Sequence, residues 1–364
     1  MKTTTYKLII VLLLLPIIGY SNGPKGKYNK SKTIEKSFNV DSNTDLIINN
    51  RYGNVDITTW DKNTIEISVK ITVNGNNKEK VLSKLKAIDV DFTNNKTQVT
   101  ATTIISKKTK GFFSSSWFSN ASSLSFKINY TVKMPITNSL DVSNDYGSIA
   151  IDELEGKASI HCDYGRLFIG SLLHSKNSIN MNYTSNSTIE FMESGELNAN
   201  YSGLSIAEVT NLIIDADYSN FEIDKVKDLS FDCDYGGLKV GSAEKVNGEA
   251  DYFSMKFNSI YTNFDLNLEY GSIKINSLKK DFKVVNIDAD YSGVKIGFDE
   301  DASCNINLSL EYGGFKFNGD KFNFNKQRNT SSSKHFSGYF NKSNNNSILT
   351  INSEYGNVKF NQIK

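Results

Sequence analysis

Ten tyrosines recur through the middle of this chain at a spacing that hardly varies, and that period restricts the fold more than any other feature. They are Tyr146, Tyr164, Tyr183, Tyr201, Tyr218, Tyr235, Tyr252, Tyr270, Tyr291 and Tyr312, separated by 18, 19, 18, 17, 17, 17, 18, 21 and 21 residues. Tyr52 and Tyr355 stand in two further copies of the frame, which accounts for twelve of the eighteen tyrosines. A unit this short cannot bury an apolar face alone and gains a core only by stacking on its neighbours.

Within each unit the apolar residues alternate. Counting from the tyrosine, positions −4 and −2 are apolar before it, and +3, +5 and often +8 after it: Ile214, Ala216, Phe221, Ile223 and Val226 around Tyr218. Such alternation marks short strands with one buried side. The parity changes between the tyrosine and +3, so the chain must bend there. Glycine follows Tyr146, Tyr164, Tyr235, Tyr270, Tyr312 and Tyr355, and it is expected to supply the positive φ of the corner. The same parity places the tyrosine inward, in a stacked core ladder; an exposed platform for sugar rings is the sharper alternative. The expected fold is all-β: a parallel β-solenoid of the right-handed β-helix type, about 10–12 turns, in which equivalent strands stack at about 4.8 Å.

An acid or its amide precedes most of the tyrosines, as in Asp145, Asp163, Asn182, Asp217, Asp234, Asp251, Glu269, Asp290, Glu311 and Glu354. Lysine stands at +4 in Lys239, Lys256, Lys274, Lys295, Lys316 and Lys359. The two rows are expected to pair as a surface network. A calcium-binding edge is the alternative for the acids, although neither a calcium-binding nonapeptide repeat nor an EF-hand loop is present.

The flanks divide the chain. Residues 1–21 read as a signal peptide, with Lys2 and Lys7 before an apolar run, Leu8 to Ile18, that is too short to span a bilayer. Residues 22–135 form a β-rich lead-in with a short amphipathic helix over 77–88, carried by Val81, Leu82, Leu85 and Ile88. Residues 136–318 hold the repeats, and 319–364 an insertion and the closing turn. Phe112, Phe113, Trp117 and Phe118 crowd one Ser-rich loop. They suggest a flap over an open edge or a ligand-contact loop.

Little in the sequence points to chemistry. His161, His174 and His335 have no metal-ligand spacing, and Cys162 and Cys233 are four units apart. Neither a GxSxG elbow nor a phosphate or dinucleotide loop occurs, so no catalytic, cofactor-binding or metal residue is assigned. Paired carboxylates could serve a polysaccharide-degrading enzyme, but acids that recur in every unit fit architecture better than one site. Without Lys2 and Lys7 the formal charge moves from +1 to −1, which argues against nucleic acid as the partner. The strands are too short for a transmembrane barrel.

The Asn54-Val55-x-Ile57-x-x-Trp60 turn, the Tyr130-x-Val132-x-x-Pro135 strand ending and the repeated Asp-Tyr-Gly corners resemble the bacterial β-strand-repeat proteins classed as putative adhesins of unknown function. The resemblance runs from about residue 38 to 360. It implies an exported envelope protein of Bacteroidota type, at the cell surface or in the periplasm, that is not an enzyme and binds a glycan or protein. A structural or sensory part in envelope-stress signalling is the second expectation. No family binding residue carries over.

Overall fold

The computed structural model describes residues 26–106 and 124–363. The expected signal peptide, 1–21, and the loop residues Phe112, Phe113, Trp117 and Phe118 lie outside the described residues. The described chain is nearly all β, with 24 strands in one hydrogen-bonded system and one α-helix.

Tyrosine-centred segments stack in parallel and in register. Leu140–Asp145 pairs with Ala158–Asp163, which pairs in turn with Asn177–Asn182. On the other side of the corner, Ile149–Leu154 pairs with Leu167–Leu172. Each layer therefore contributes one strand before its tyrosine and one after it. The corner is hydrogen-bonded too. Tyr146 N–H donates to Asp163 O at 2.9 Å, and Tyr164 N–H to Asn182 O at 3.0 Å.

The apolar alternation in the sequence becomes the core. Around Tyr164, Ile160, Cys162, Leu167, Ile169 and Leu172 are all buried. The tyrosine is the exception. It takes the bend itself, with φ between 48° and 67° at all twelve frame positions, whereas the one glycine with positive φ among the described residues is Gly319. The expectation that glycine supplies the left-handed corner is thus corrected. So is the inward tyrosine: the reversed corner turns the ring out, and the twelve rings are 38–62% exposed.

The residue after the tyrosine points inward instead, into the adjacent layer's backbone. Where it is glycine, no side chain would fit; a Cβ on Gly165 would lie 2.0 Å from Gly147 O. Where it is Ser or Thr, its hydroxyl takes up the backbone groups of the corner. Ser219 Oγ accepts from Ser202 N–H at 3.1 Å and lies 2.9 Å from Asp217 O, to which it can donate. Buried corner amides are thereby satisfied.

Layers do not follow chain order at the C-terminal end. Ile348–Glu354 pairs in parallel with both Val284–Asp290 and Cys304–Glu311. Asn357–Gln362 does the same between Gly293–Phe298 and Gly314–Asn318. The closing layer, last in sequence, is wedged one place in from the end. The insertion before it forms a hairpin, Phe322–Asn329 with Ser333–Phe340, laid antiparallel on Cys304–Glu311. Phe298, Phe322, Phe340 and Phe360 pack beneath it.

At the N-terminal end Asp45–Arg51 and Val55–Trp60 form the first layer, against Leu140–Asp145 and Ile149–Leu154. Beyond it Gln98–Ile105 and Ser125–Pro135 still pair in parallel with that layer, and the strands then turn antiparallel: Ser125–Pro135 pairs with Thr64–Gly75, and that with Tyr28–Asn39. The helix, Lys78–Ala87, begins at Asn77, whose side chain accepts from Lys80 N–H at 3.0 Å. It buries Val81 on the antiparallel sheet.

Candidate functional site

The repeat leaves three parallel rows on the outside, and the corner geometry fixes their order. At the corner stands the tyrosine ridge. Its order in space is Tyr52, Tyr146 through Tyr291, then Tyr355 and Tyr312. Neighbouring ring centroids are 4.8–5.3 Å apart with planes within 8° of parallel. A non-glycine residue in the left-handed region costs roughly 1–2 kcal/mol. Stacked aromatic pairs each return about 0.5–1.5 kcal/mol beyond area burial, so two neighbours offset the strain.

Stacking also decides what the ridge can bind. Each inner ring covers its neighbours' faces, and Phe126 packs edge-on against Tyr52 at 5.1 Å. A sugar ring therefore has no open aromatic face along the ridge except at its far end, on Tyr312. The ridge offers edges and phenol hydroxyls. Burial and neighbouring Tyr and Asp charge raise the Tyr164, Tyr235 and Tyr291 phenols above their ordinary value, so these hydroxyls keep their protons at neutral pH.

On the side before the ridge runs the acid row. Asp217 faces Asp234, and Glu269, Asp290, Glu354 and Glu311 follow in register. Burial, then Asp251, Asp217 and Asp232, push the Asp234 carboxyl up. On the side after the ridge runs the lysine row, with Lys256, Lys274, Lys295, Lys359 and Lys316 in register. The expected pairing of these rows is corrected by the structure. Among the described residues none of the ion pairs joins them, because the ridge stands between. Pairs that link adjacent layers form elsewhere, such as Lys225–Glu208 at 2.7 Å and Lys279–Asp299 at 3.0 Å.

Near the N-terminal end, Asp145, His161 and Asp163 bring one ligand atom each within 4.8 Å of one another. Three of the four carboxylate oxygens already have partners. Arg51 Nη2 lies 3.1 Å from Asp145, His161 Nε2 3.4 Å from Asp163, and Asn182 donates to Asp163 at 2.9 Å. Three side chains and a guanidinium fall short of the six to eight oxygens that calcium takes. The histidine was visible in the sequence, but its approach to two acids one layer apart was not.

Shallow depressions mark the surface, two of them among the described residues of the repeats. One, about 360 Å³, lies beside the Lys245–Asp228 pair, and the other, about 590 Å³, holds Lys239 and Lys256. Each is lined by an acid, a lysine and serine, but among the described residues no serine hydroxyl of either is hydrogen-bonded to a lysine or a carboxylate. The thiols of Cys162, Cys233 and Cys304 are free and buried. Burial raises them to about 11, about 12 and about 12 respectively. Such thiols are poor nucleophiles.

No family model matches the chain, and no curated protein matches it. Among solved structures the chain is similar to a putative cell adhesion protein from Clostridium sporogenes, at 12% identity and a TM-score of 0.18, covering 92% of this chain and 100% of that one. It is similar to a putative lipid binding protein from Parabacteroides distasonis, at 11% and 0.32, covering 93% and 98%. A putative adhesin from the same organism stands at 10% and 0.30, covering 90% and 97%. At such TM-scores the whole chains do not superpose. Among the described residues no helix is long and apolar enough to cross a membrane.

Proposed function

We propose that the protein is a non-catalytic, exported component of a bacterial cell envelope that binds a glycan or protein ligand as an adhesin does. On this reading the parallel layers form a β-solenoid of twelve turns, right-handed in type, whose long outer faces are the binding surface. One observation carries the reading. The tyrosine ridge repeats once per layer and the acid and lysine rows run through several successive layers, so the surface suits an extended, repetitive ligand rather than a small substrate. The acid row gives way only to the amides Asn182 and Asn200 and, in the first layer, to Arg51, so no one layer stands apart as a catalytic pair.

The test has two arms. Purified full-length protein is applied to an array of bacterial and host glycans, and intact producing cells are shaved with protease before the protein is detected. Ligand binding together with loss of the protein on shaving supports adhesion at the surface. Absence of any ligand, with a phenotype confined to envelope-stress output, sinks it in favour of a structural or sensory part. Hydrolysis or lyase cleavage of a bound polysaccharide would overturn the non-catalytic assignment.

A further inference from the structure

The lysine row has features that the fold does not require. Lys256, Lys274, Lys295, Lys359 and Lys316 meet in register from layer to layer, and Lys239 lines the same depression as Lys256. All six are exposed, and none is in an ion pair with a carboxylate within 4.0 Å among the described residues. Like charges placed directly opposite on neighbouring strands repel, so the row weakens the stack it belongs to. Earlier layers fill the same register with Asp56, Ala150, Phe168, Thr188, Ser205 and Glu222. The architecture therefore accepts neutral residues there. Inserting the closing layer brings Lys359 between Lys295 and Lys316 and keeps the row unbroken.

The surroundings of the row are small and uncharged. On the ridge side lie Ser254, Ser272, Gly293 and Asn357 in register. On the far side Asn276 donates to Asn258 at 2.8 Å, and Asn361 faces Asn318. The nearest acid along the same depression is Glu222, where the row begins. The result is a track one cation wide, bordered by amides and hydroxyls and walled on one side by the phenols.

We propose that this track binds a linear polyanionic glycan, a polysaccharide with a carboxylate on successive sugar rings. The assignment rests on the glycan-binding reading above and names its ligand class. Layer spacing of about 4.8 Å sets one ammonium per step, close to the advance of one ring in an extended polysaccharide. The flanking amides and hydroxyls suit sugar hydroxyls. A single-stranded nucleic acid would need open aromatic faces for its bases, and those of the ridge are closed by stacking. The acidic side of a second copy is two rows deep, with Asp215 and Asp217 facing Asp232 and Asp234, and a single file of cations does not match it.

The test titrates the full chain with polygalacturonate, neutral dextran and oligothymidylate by calorimetry over a series of salt concentrations. Polygalacturonate is expected to bind with an affinity that falls as salt rises, and dextran to bind far more weakly. The variant K256Q/K274Q/K295Q/K359Q is expected to weaken polygalacturonate binding by about tenfold or more and to flatten its salt dependence, as loss of counterion release requires. Its circular dichroism should match the parent, since substitution removes repulsion. A control, K30Q/K36Q/K70Q on the antiparallel end, should stay within about twofold, because those amines lie off the track. Three results overturn the proposal: unchanged binding by the four-lysine variant, oligothymidylate binding as tightly as polygalacturonate, or salt-sensitive self-association that the variant abolishes without polygalacturonate binding. Neutral glycans bound on the array without polygalacturonate would sink the track but leave the glycan-binding function standing. Failure of polygalacturonate together with every glycan on the array removes the track and the glycan half of the function, leaving a protein ligand.

Discussion

A β-carbon placed on Gly147 would stand 1.9 Å from the carbonyl oxygen of Gly53 in the adjacent layer. Backbone meets backbone there, so a side chain must push two layers apart. Gly147→Ala is expected to cost about 1–3 kcal/mol by overpacking. Gly203→Ala, whose nearest contact would be Asn220 O at 3.9 Å, should be neutral or add up to about 1 kcal/mol through the unfolded chain. Urea denaturation of the two variants separates them, and equal midpoints would remove the steric account.

The ridge makes a second prediction. Tyr235 stacks on Tyr218 and Tyr252 at 4.8 and 4.9 Å. Tyr235→Ala loses both contacts yet keeps the left-handed corner, for an expected loss of about 1–3 kcal/mol. Tyr235→Phe keeps the stack and should change stability by less than about 0.5 kcal/mol. A phenylalanine variant as damaged as alanine would show that the hydroxyl, not the ring, holds the corner.

Acid-row electrostatics can be read by pH. The Asp234 carboxyl is raised in the folded state, first by burial and then by its acidic neighbours. The native state therefore binds that proton more tightly than the unfolded state. Stability from this group is complete below its ordinary value of 3.8 and is lost as pH rises through the raised value. Asp234→Asn should consequently melt higher than the parent at pH 7, and the advantage should vanish near pH 3. Thermal melts across that range check the sign; a variant less stable at pH 7 would contradict it.

The three thiols should report global opening. With Cys162, Cys233 and Cys304 buried and their thiols raised, reaction with a thiol-specific chromophore at pH 8 should be negligible in buffer and complete in denaturant. A rapid reaction of one native thiol would locate a layer that opens locally.

Removal of residues 346–364 takes out an interior layer. Val284–Asp290 and Cys304–Glu311 would each lose a parallel partner. The truncated chain is expected to expose two strand edges and associate, seen as a shift to large species on size-exclusion chromatography. A monomeric, cooperatively folded truncation would mean that the two separated layers can pair directly.

Much of this architecture could be read from residue order. The buried set around each tyrosine follows from a two-residue alternation, which is a local property of the strand. The direction of the tyrosine did not follow, because one left-handed residue inverts parity for everything up to the next apolar position, and aromatic residues seldom take that conformation. Glycine after Tyr146 or Tyr164 looked like the bend, but its role is the absence of a side chain where the next layer's carbonyl arrives. The lysine period was equally plain in the sequence. Its lack of partners was not, since Lys274 and Glu269 are five residues apart and a row of rings divides them. Nor does the chain announce that the frame at Tyr355 docks beside Tyr291; as text it is one more copy after an insertion.

That wedged frame bears on the order of assembly. A growing polypeptide can add each layer to the one before it as far as Tyr291, starting from the amino end. The Tyr312 segment, made next, pairs antiparallel with Ser333–Phe340, and among the described residues its parallel neighbours, Ile348–Glu354 and Asn357–Gln362, come later still. The later frame therefore works as a latch, joining the Tyr291 layer to a Tyr312 layer that its own hairpin already covers on the other side.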